Sequence, residues 1–368
     1  MKTKIFFDDI FYSKDAPPAT IIYPFLGTSL DQANGKVWET TVTQPSLKNF
    51  ISIANKLFEL SAIEDSDFIV LPNDLSFLND EVKLKAFKLI SLAKQKTINK
   101  PVVGFFSGDR SHLSLPLELD AVFRDSLYET IRKINDFAMP IWIDDLTKSY
   151  GDNKLVIREK KHKPSVGFCG YIAPNNLKTY SKALLYRSRQ ILPHANRQIP
   201  PHHTGHVIRK LAIETLQRSL LVETNFVLRS QAGLIGNNVS QAKAYRKVFV
   251  QNLQESDYIF CCRGSGNHSN RLYETLCYGR IPVFLNTDCV LPFDFDIDWK
   301  KYLVFVEEKD ISRIDKIIYD FHSSLSPSDF VDFQMKCRNL WLERLSPEGF
   351  FTHFHRHFDF LKRQYSWQ

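Results

Sequence analysis

Arg271 and Glu274 stand three residues apart and have the side-chain types a nucleotide needs around it. A guanidinium beside a helix N-terminus suits a pyrophosphate. A carboxylate about one turn later can accept hydrogen bonds from two ribose hydroxyls. The same i,i+3 spacing also describes an ordinary salt bridge on a helix surface, which contributes little. The neighbouring elements have to decide between the two.

Those elements lie between Ser256 and Trp299, in SDYIFCCRGSGNHSNRLYETLCYGRIPVFLNTDCVLPFDFDIDW. The apolar run Tyr258 to Cys262 predicts a buried strand. A glycine-bearing loop follows, Arg263 to Ser269. A short helix from Asn270 to Tyr278 ends at Gly279, where a helix C-terminus favours glycine. A second strand, Ile281 to Leu285, leads into an acidic loop, Asp288 to Asp298. Strand, loop, helix and strand make one βαβ unit, and hence a parallel sheet. On the helix, Leu272 and Leu276 can pack on the sheet, while Arg271 and Glu274 share another face. The loop falls at the carboxyl edge of the strands, where open α/β sheets bind ligands. Pattern and spacing alone point to an α/β protein with a candidate phosphate site, and no further.

The segment RLYETLCYGRIPVFLNTDCVLPFDFDIDW resembles the signature of exostosin-type glycosyltransferases, family 47 of the sugar transferases. It has the arginine, the aromatic–glutamate pair, the glycine, the Ile-Pro-Val strand and the loop ending in Asp-Trp. The likeness is dense from Ser256 to Glu308. It is thinner at Ser66–Pro72, Phe106–Asp109 and Lys163–Gly170. The resemblance implies an α/β fold of GT-B architecture, with two Rossmann-like domains facing a cleft. It implies inverting, metal-independent transfer from a nucleotide sugar, expected to be UDP-linked, to a glycan or lipid-linked glycan in surface polysaccharide synthesis. It carries over most directly to Arg271, Tyr273, Glu274 and Gly279. Arg263, Arg271 and Arg209 would neutralise the leaving diphosphate, and Asn267 and Ser269 would add polar contacts. No cofactor beyond the nucleotide sugar is expected. A nucleotide-sugar-binding protein of the same fold without turnover is the alternative, and a basic scaffold for nucleic acid or membrane a third.

Taken in order, the 368 residues suit two domains. The expected boundaries are 1–155 for an acceptor-side domain, 156–345 for the donor domain, and 346–368 for a helix crossing back to the first. Strands are expected at Lys4–Phe7, Thr20–Leu26 (an edge position, because of Pro24), Asp67–Leu71, Val102–Phe106 and Asp120–Ser126. Helices are expected at Leu47–Ala62 and Val82–Lys96. Ser107 to His112 then follows a strand end. An inverting transferase needs a base for the acceptor hydroxyl, and Asp109 and His112 are the candidates there. Asp109 could equally cap a turn or pair with Arg110. Arg124 reads as either a phosphate contact or an ion-pair partner. Asp152 to Lys163 is polar and basic, as a linker would be.

In the second half, Arg209 and Lys210 sit in the first turn of an amphipathic helix, against the usual dipole preference. A bound anion nearby would account for them. His202 and His203 lack a third ligand at a useful spacing, so a metal site is not expected there. Asp294, Asp296 and Asp298 have DxD spacing but fall in the signature loop and read as loop structure. His353 and His357 would share a helix face in an aromatic tail.

Composition sets outer limits. The formal charge is +7, suited to an anionic donor, an acidic glycan or an anionic membrane surface. No nucleic-acid motif is present, so that partner is not expected. The six cysteines show no CxxC spacing and read as buried thiols. Neither a signal peptide nor a long apolar run is visible. The expected setting is the cytoplasm, with peripheral contact at the inner membrane face.

Overall fold

A computed structural model describes residues 2–25, 44–97, 100–110, 113–174, 176–190, 204–229 and 239–365. The chain divides into two compact units. The first comprises Met1–Asp144, Asp288–Ile297 and Leu342–Gln368, and the second Asp145–Thr287 and Asp298–Trp341. Among the described residues, the basic stretch expected as a linker lies within the second unit.

The first unit holds β1 (Thr3–Phe6), α1 (Gln44–Leu57), β2 (Phe58–Leu60), β3 (Phe68–Val70), α2 (Asp80–Lys96), β4 (Val102–Phe106), β5 (Ala121–Arg124) and β6 (Asp136–Ala138). Its sheet runs in the order β2-β1-β3-β4-β5-β6, and the pairings are parallel. The second unit holds α3 (Leu146–Tyr150), β7 (Ser165–Tyr171), α4 (Leu177–Gln190), α5 (Thr204–Arg218), β8 (Glu223–Arg229), α6 (Val239–Glu255), β9 (Tyr258–Cys261), α7 (Asn270–Cys277), β10 (Ile281–Asn286), β11 (Val304–Glu307), α8 (Ile314–Ser324) and α9 (Pro327–Leu340). Its order is β11-β10-β9-β7-β8, again parallel. Two helices of the first unit close the chain, α10 (Pro347–Thr352) and α11 (His355–Tyr365).

Both sheets therefore follow one doubly wound plan. The first crossover steps to one side of the opening strand, and the rest step to the other. The reversal falls between β1 and β3 in the first unit, and between β7 and β9 in the second. Loops at the carboxyl ends of such strands diverge and leave a crevice for ligand. Two α/β units of this kind are what the expected fold class requires.

Local sequence explains the elements. Asn79 caps α2 by accepting from the Val82 N–H at 2.8 Å. Asp80 and Glu81 fill its first turn and Lys94 and Lys96 its last, as the dipole favours. Ser326 and Asp329 form a capping box at the start of α9, with Pro327 at the first helical position. Gly279 ends α7 at φ +62°.

The first sheet separates its apolar residues by face. Ile69, Val102, Phe106 and Val122 pack with Leu89, Ile90 and Ala93 of α2. Phe68, Phe105, Phe123 and Phe137 form a phenyl face, with Phe105, Phe123 and Phe137 in register across three strands. The closing helices cover that face. Phe358 stacks on Phe68 at 4.9 Å, Phe354 lies 4.6 Å from Phe123, and Phe351 stacks on Phe50 of α1 at 4.3 Å. The tail thus belongs to the core of the first unit.

Two expected elements take other forms. Thr20–Ile22 is a 3-10 turn, not a strand. Its residues are buried on every side, so its apolar run reflects burial without sheet pairing. Leu26 lies outside the described residues. The helix expected to reach Ala62 stops at Leu57, and Phe58–Leu60 pairs with β1 instead.

Candidate functional site

The carboxyl ends of β7 and β9, at the reversal of the second sheet, gather the cations expected there. Arg271, in the first turn of α7, donates from Nη2 to the Cys169 carbonyl at 2.8 Å. Its guanidinium carbon stands 4.3 Å from the centre of the Phe168 ring. Arg209 of α5 approaches the same ring at 5.8 Å and donates to the carbonyls of Tyr171 and Arg263, both at 3.0 Å. Arg263 is buried in the loop after β9 and donates to the Ser265 carbonyl at 3.1 Å.

Two glycines permit this closeness. A Cβ on Gly170 would meet Nη2 of Arg271 at 2.9 Å, and one on Gly205 would meet the Gly264 carbonyl at 2.3 Å. The first lets the guanidinium reach the strand end. The second brings the N-terminus of α5 against the Arg263 loop.

Two guanidinia converging on one phenyl ring are costly without an anion. Burial first, and the Arg209 charge second, lower the pKa of Arg271 from the ordinary guanidinium value. Its Nε is buried with no hydrogen-bond partner. Ser269 occupies the N-cap of α7 without a side-chain cap bond. A buried donor, like charge and a helix N-terminus together favour an anion at this point.

The other expected donor residues take more varied positions. Glu274 is buried and paired with Arg246 of α6 through Oε1, so it does not form the i,i+3 bridge with Arg271. Tyr273 is buried. The Asn267 side chain is fully buried and accepts from Thr287 Oγ1 at 2.7 Å, which ties the loop to the end of β10. Arg246 itself was not anticipated; only a charge on the helix preceding β9 signalled it. Lys210, beside Arg209, pairs with Glu214 at 2.6 Å.

In the first unit, Asp109 is exposed beyond β4, and His112 lies outside the described residues. Two further carboxylates share that edge. The Ser107 N–H donates to Asp74 at 3.1 Å, and the Gly108 N–H to Asp125 at 3.0 Å. Burial pushes the Asp125 carboxyl well above the usual carboxylate range, and the charges of Asp74 and Asp109 add to this. Burial also raises Asp74, against hydrogen bonds from Ser107 and Ser76. Asp74 and Asp125 each follow a strand end, which is the signal that could have found them.

Several alternatives resolve into structure. Arg124 forms a buried pair with Asp136 at 2.9 Å. Asp294 pairs with Arg132, and Asp296 with Arg344 and Arg356. The signature loop is thereby fixed by arginines, in keeping with the reading of its aspartates as loop structure. The cysteines are free thiols, all buried except the half-buried Cys289. No helix among the described residues is long and apolar enough to cross a membrane.

Comparison with known proteins bears on this site. Residues 181–321 match the model of the Exostosin GT47 domain. "Probable glucuronosyltransferase 47 A" of Physcomitrium patens is 41% identical over 70 residues, 19% of this chain and 16% of that protein. "Probable beta-1,4-xylosyltransferase IRX10" of Arabidopsis thaliana is 37% identical over 70 residues, 19% of this chain and 17% of that protein. Both alignments thus span less than a fifth of the relatives' own length. A mutant of S. aureus TarM, solved with Fondaparinux, alpha-GlcNAc-glycerol and UDP, aligns at TM-score 0.34 and 11% identity. That alignment covers 73% of this chain and 53% of TarM. The resemblance to exostosin-type glycosyltransferases is borne out, and the matched segment holds Arg209, Arg263, Arg271 and Glu274.

Proposed function

We propose that this exostosin-type chain is an inverting glycosyltransferase that takes a sugar from a UDP-linked donor without a metal ion. The observation that carries the reading is the convergence of Arg209 and Arg271 on Phe168 beside the N-terminus of α7. A leaving nucleoside diphosphate places its negative charge where these cations are already fixed. Charge that grows in the transition state is then met by groups that need no rearrangement. Arg263 supplies further positive charge, and Asn267 and Ser269 shape the loop. Glu274, held at Oε1 by Arg246, is the carboxylate we assign to the ribose hydroxyls.

The acceptor is a glycan or lipid-linked glycan of a surface polysaccharide, and the setting is cytoplasmic. A carboxylate from the carboxyl edge of the first sheet removes its proton. Asp109 is the exposed candidate. Asp125, beside it on the same edge and raised by burial and neighbouring charge, is the second candidate.

The deciding experiment is a thermal-shift panel with UDP, GDP, CMP and their sugars, followed by donor-hydrolysis assays. Stabilisation by UDP and its sugars, lost in Arg271→Ala, is the expected result. No stabilisation by any nucleotide overturns the donor site. UDP binding without hydrolysis or transfer across a broad acceptor panel would favour a binding protein over an enzyme.

A further inference from the structure

The positive charge of the chain is concentrated in one stretch. Residues 160–254 contain 15 Lys and Arg against two acidic residues, Glu214 and Glu223. Subtracting them from the whole leaves 33 basic and 39 acidic residues, so the rest of the chain is net negative. The diphosphate reading employs Arg209 from this stretch, with Arg246 as the partner of Glu274. Most of the remaining charge has no part in that reading.

Helix α4 stands out within it. Its sequence, LKTYSKALLYRSRQ, has four basic residues and no acidic one. At a helical repeat of about 100° per residue, Leu177, Tyr180, Leu184 and Leu185 fall on one face, with Ser181 among them. That face is turned to solvent: Leu177 is 89% exposed, Leu184 71%, Tyr180 54% and Leu185 53%. Thr179, on the opposite side, is buried, and the helix packs against α5. Lys178 is exposed at the margin of the leucine face, and Lys182 is half-buried beyond it.

Leucines pointing outward, with Tyr180 at their edge beside Lys210 of α5 and lysines at the margin with no acid on the helix, suit one kind of partner. A helix of this type lies in the interface of an anionic bilayer, its apolar side in the headgroup–acyl boundary and its lysines among the headgroups. A soluble polyanion would engage the lysines but leave the leucines in water. A second copy packed through the same face would bring lysines together with no carboxylate of that helix to pair them. We propose that α4 seats the second unit on an anionic lipid surface, with Leu177 and Leu184 inserted and Lys178 and Lys182 at the headgroups. The proposal does not rest on the nucleotide reading.

The test is co-flotation of the full chain with phosphatidylcholine vesicles, with and without phosphatidylglycerol. Binding is expected only to vesicles with the anionic lipid, and should weaken as salt rises. Leu177→Ser/Leu184→Ser and Lys178→Glu/Lys182→Glu should each lower the partition coefficient at least about tenfold. Unchanged melting temperatures would show that both variants fold, as expected for exposed positions. Absence of wild-type binding, equal binding to neutral vesicles, or variants that bind like wild type would overturn the proposal. So would a dimer in sedimentation equilibrium that the leucine variant disperses, since the face would then join two copies.

Discussion

The guanidinium of Arg271 rests 4.3 Å from the centre of the Phe168 ring and donates to the carbonyl of Cys169, the next residue of the same strand. One strand end therefore both stacks the cation and fixes its direction. Arg271→Lys keeps the charge but loses the planar stack. It should weaken UDP binding by about tenfold to a hundredfold, the range of a charge-assisted hydrogen bond. Phe168→Leu should cost about threefold to tenfold through the lost cation–π contact. Titration calorimetry measures both, and unchanged affinity in Arg271→Lys would remove this residue from the site.

Asp125 should matter for turnover and not for the nucleotide. Asp125→Asn is expected to lower kcat by about a hundredfold or more while leaving the UDP dissociation constant within about twofold. Its folded pKa is raised, so the ionised carboxylate destabilises the fold above the ordinary aspartate pKa. The asparagine variant should therefore melt no lower than wild type at pH 8. Asp109→Asn run in parallel decides which carboxylate takes the proton, because loss of turnover should follow only one of them.

Within the second unit, Arg338 holds Asp145 through two hydrogen bonds of 2.9 and 2.7 Å, with both side chains largely buried. Burial alone would raise the Asp145 pKa, but Arg338 and Thr147 hold it below the usual carboxylate value. Arg338→Met leaves that carboxylate with only Thr147 and the more distant Lys148, and should destabilise by up to about 3–5 kcal/mol in urea unfolding. Adding Asp145→Asn should recover part of the loss. A double variant no more stable than Arg338→Met alone would mean that the cost is packing rather than charge.

His357 gives the stability a pH dependence. Its ring is fully buried among Phe123, Phe137, Phe293 and Phe350. Burial pulls its pKa down to about 3. An unfolded histidine titrates near 6.5, so between these values the unfolded chain binds one proton more. The contribution of this ring is complete above about pH 6.5 and falls by about 1.4 kcal/mol per unit as pH drops toward 3. His322 and His353 are also lowered by burial, so the comparison with His357→Phe isolates this ring. The variant should lose about one proton's worth of slope between pH 6 and 4, and an identical slope would refute the assignment.

Much of this was legible locally, and the remainder was not for identifiable reasons. The unit from β9 to β10 could be read because apolar runs, a closing glycine and short loops fix it within thirty or so residues. Thr20–Ile22 misled because an apolar run records burial, whereas a strand also needs a neighbour to pair with. Phe58–Leu60 continues a helical pattern, but its pairing with β1 comes from residues far earlier in the chain. The partners of Arg271 and Glu274, Cys169 and Arg246, stand 102 and 28 residues away. Spacing alone left the pair open between a nucleotide site and a bridge to each other. Asp74 and Asp125 meet on Ser107 and Gly108 through the sheet order, which no local pattern encodes.

The phenyl face of the first sheet, covered by Phe350, Phe351, Phe354 and Phe358, has a consequence for biosynthesis. During synthesis on the ribosome, β1 to β6 emerge long before the helices that shield their phenylalanines. Most of the second unit is contiguous from Asp145 to Thr287 and closes with Asp298–Trp341, so it can complete its core first. The first unit therefore waits with an apolar sheet face uncovered until α10 and α11 have been made.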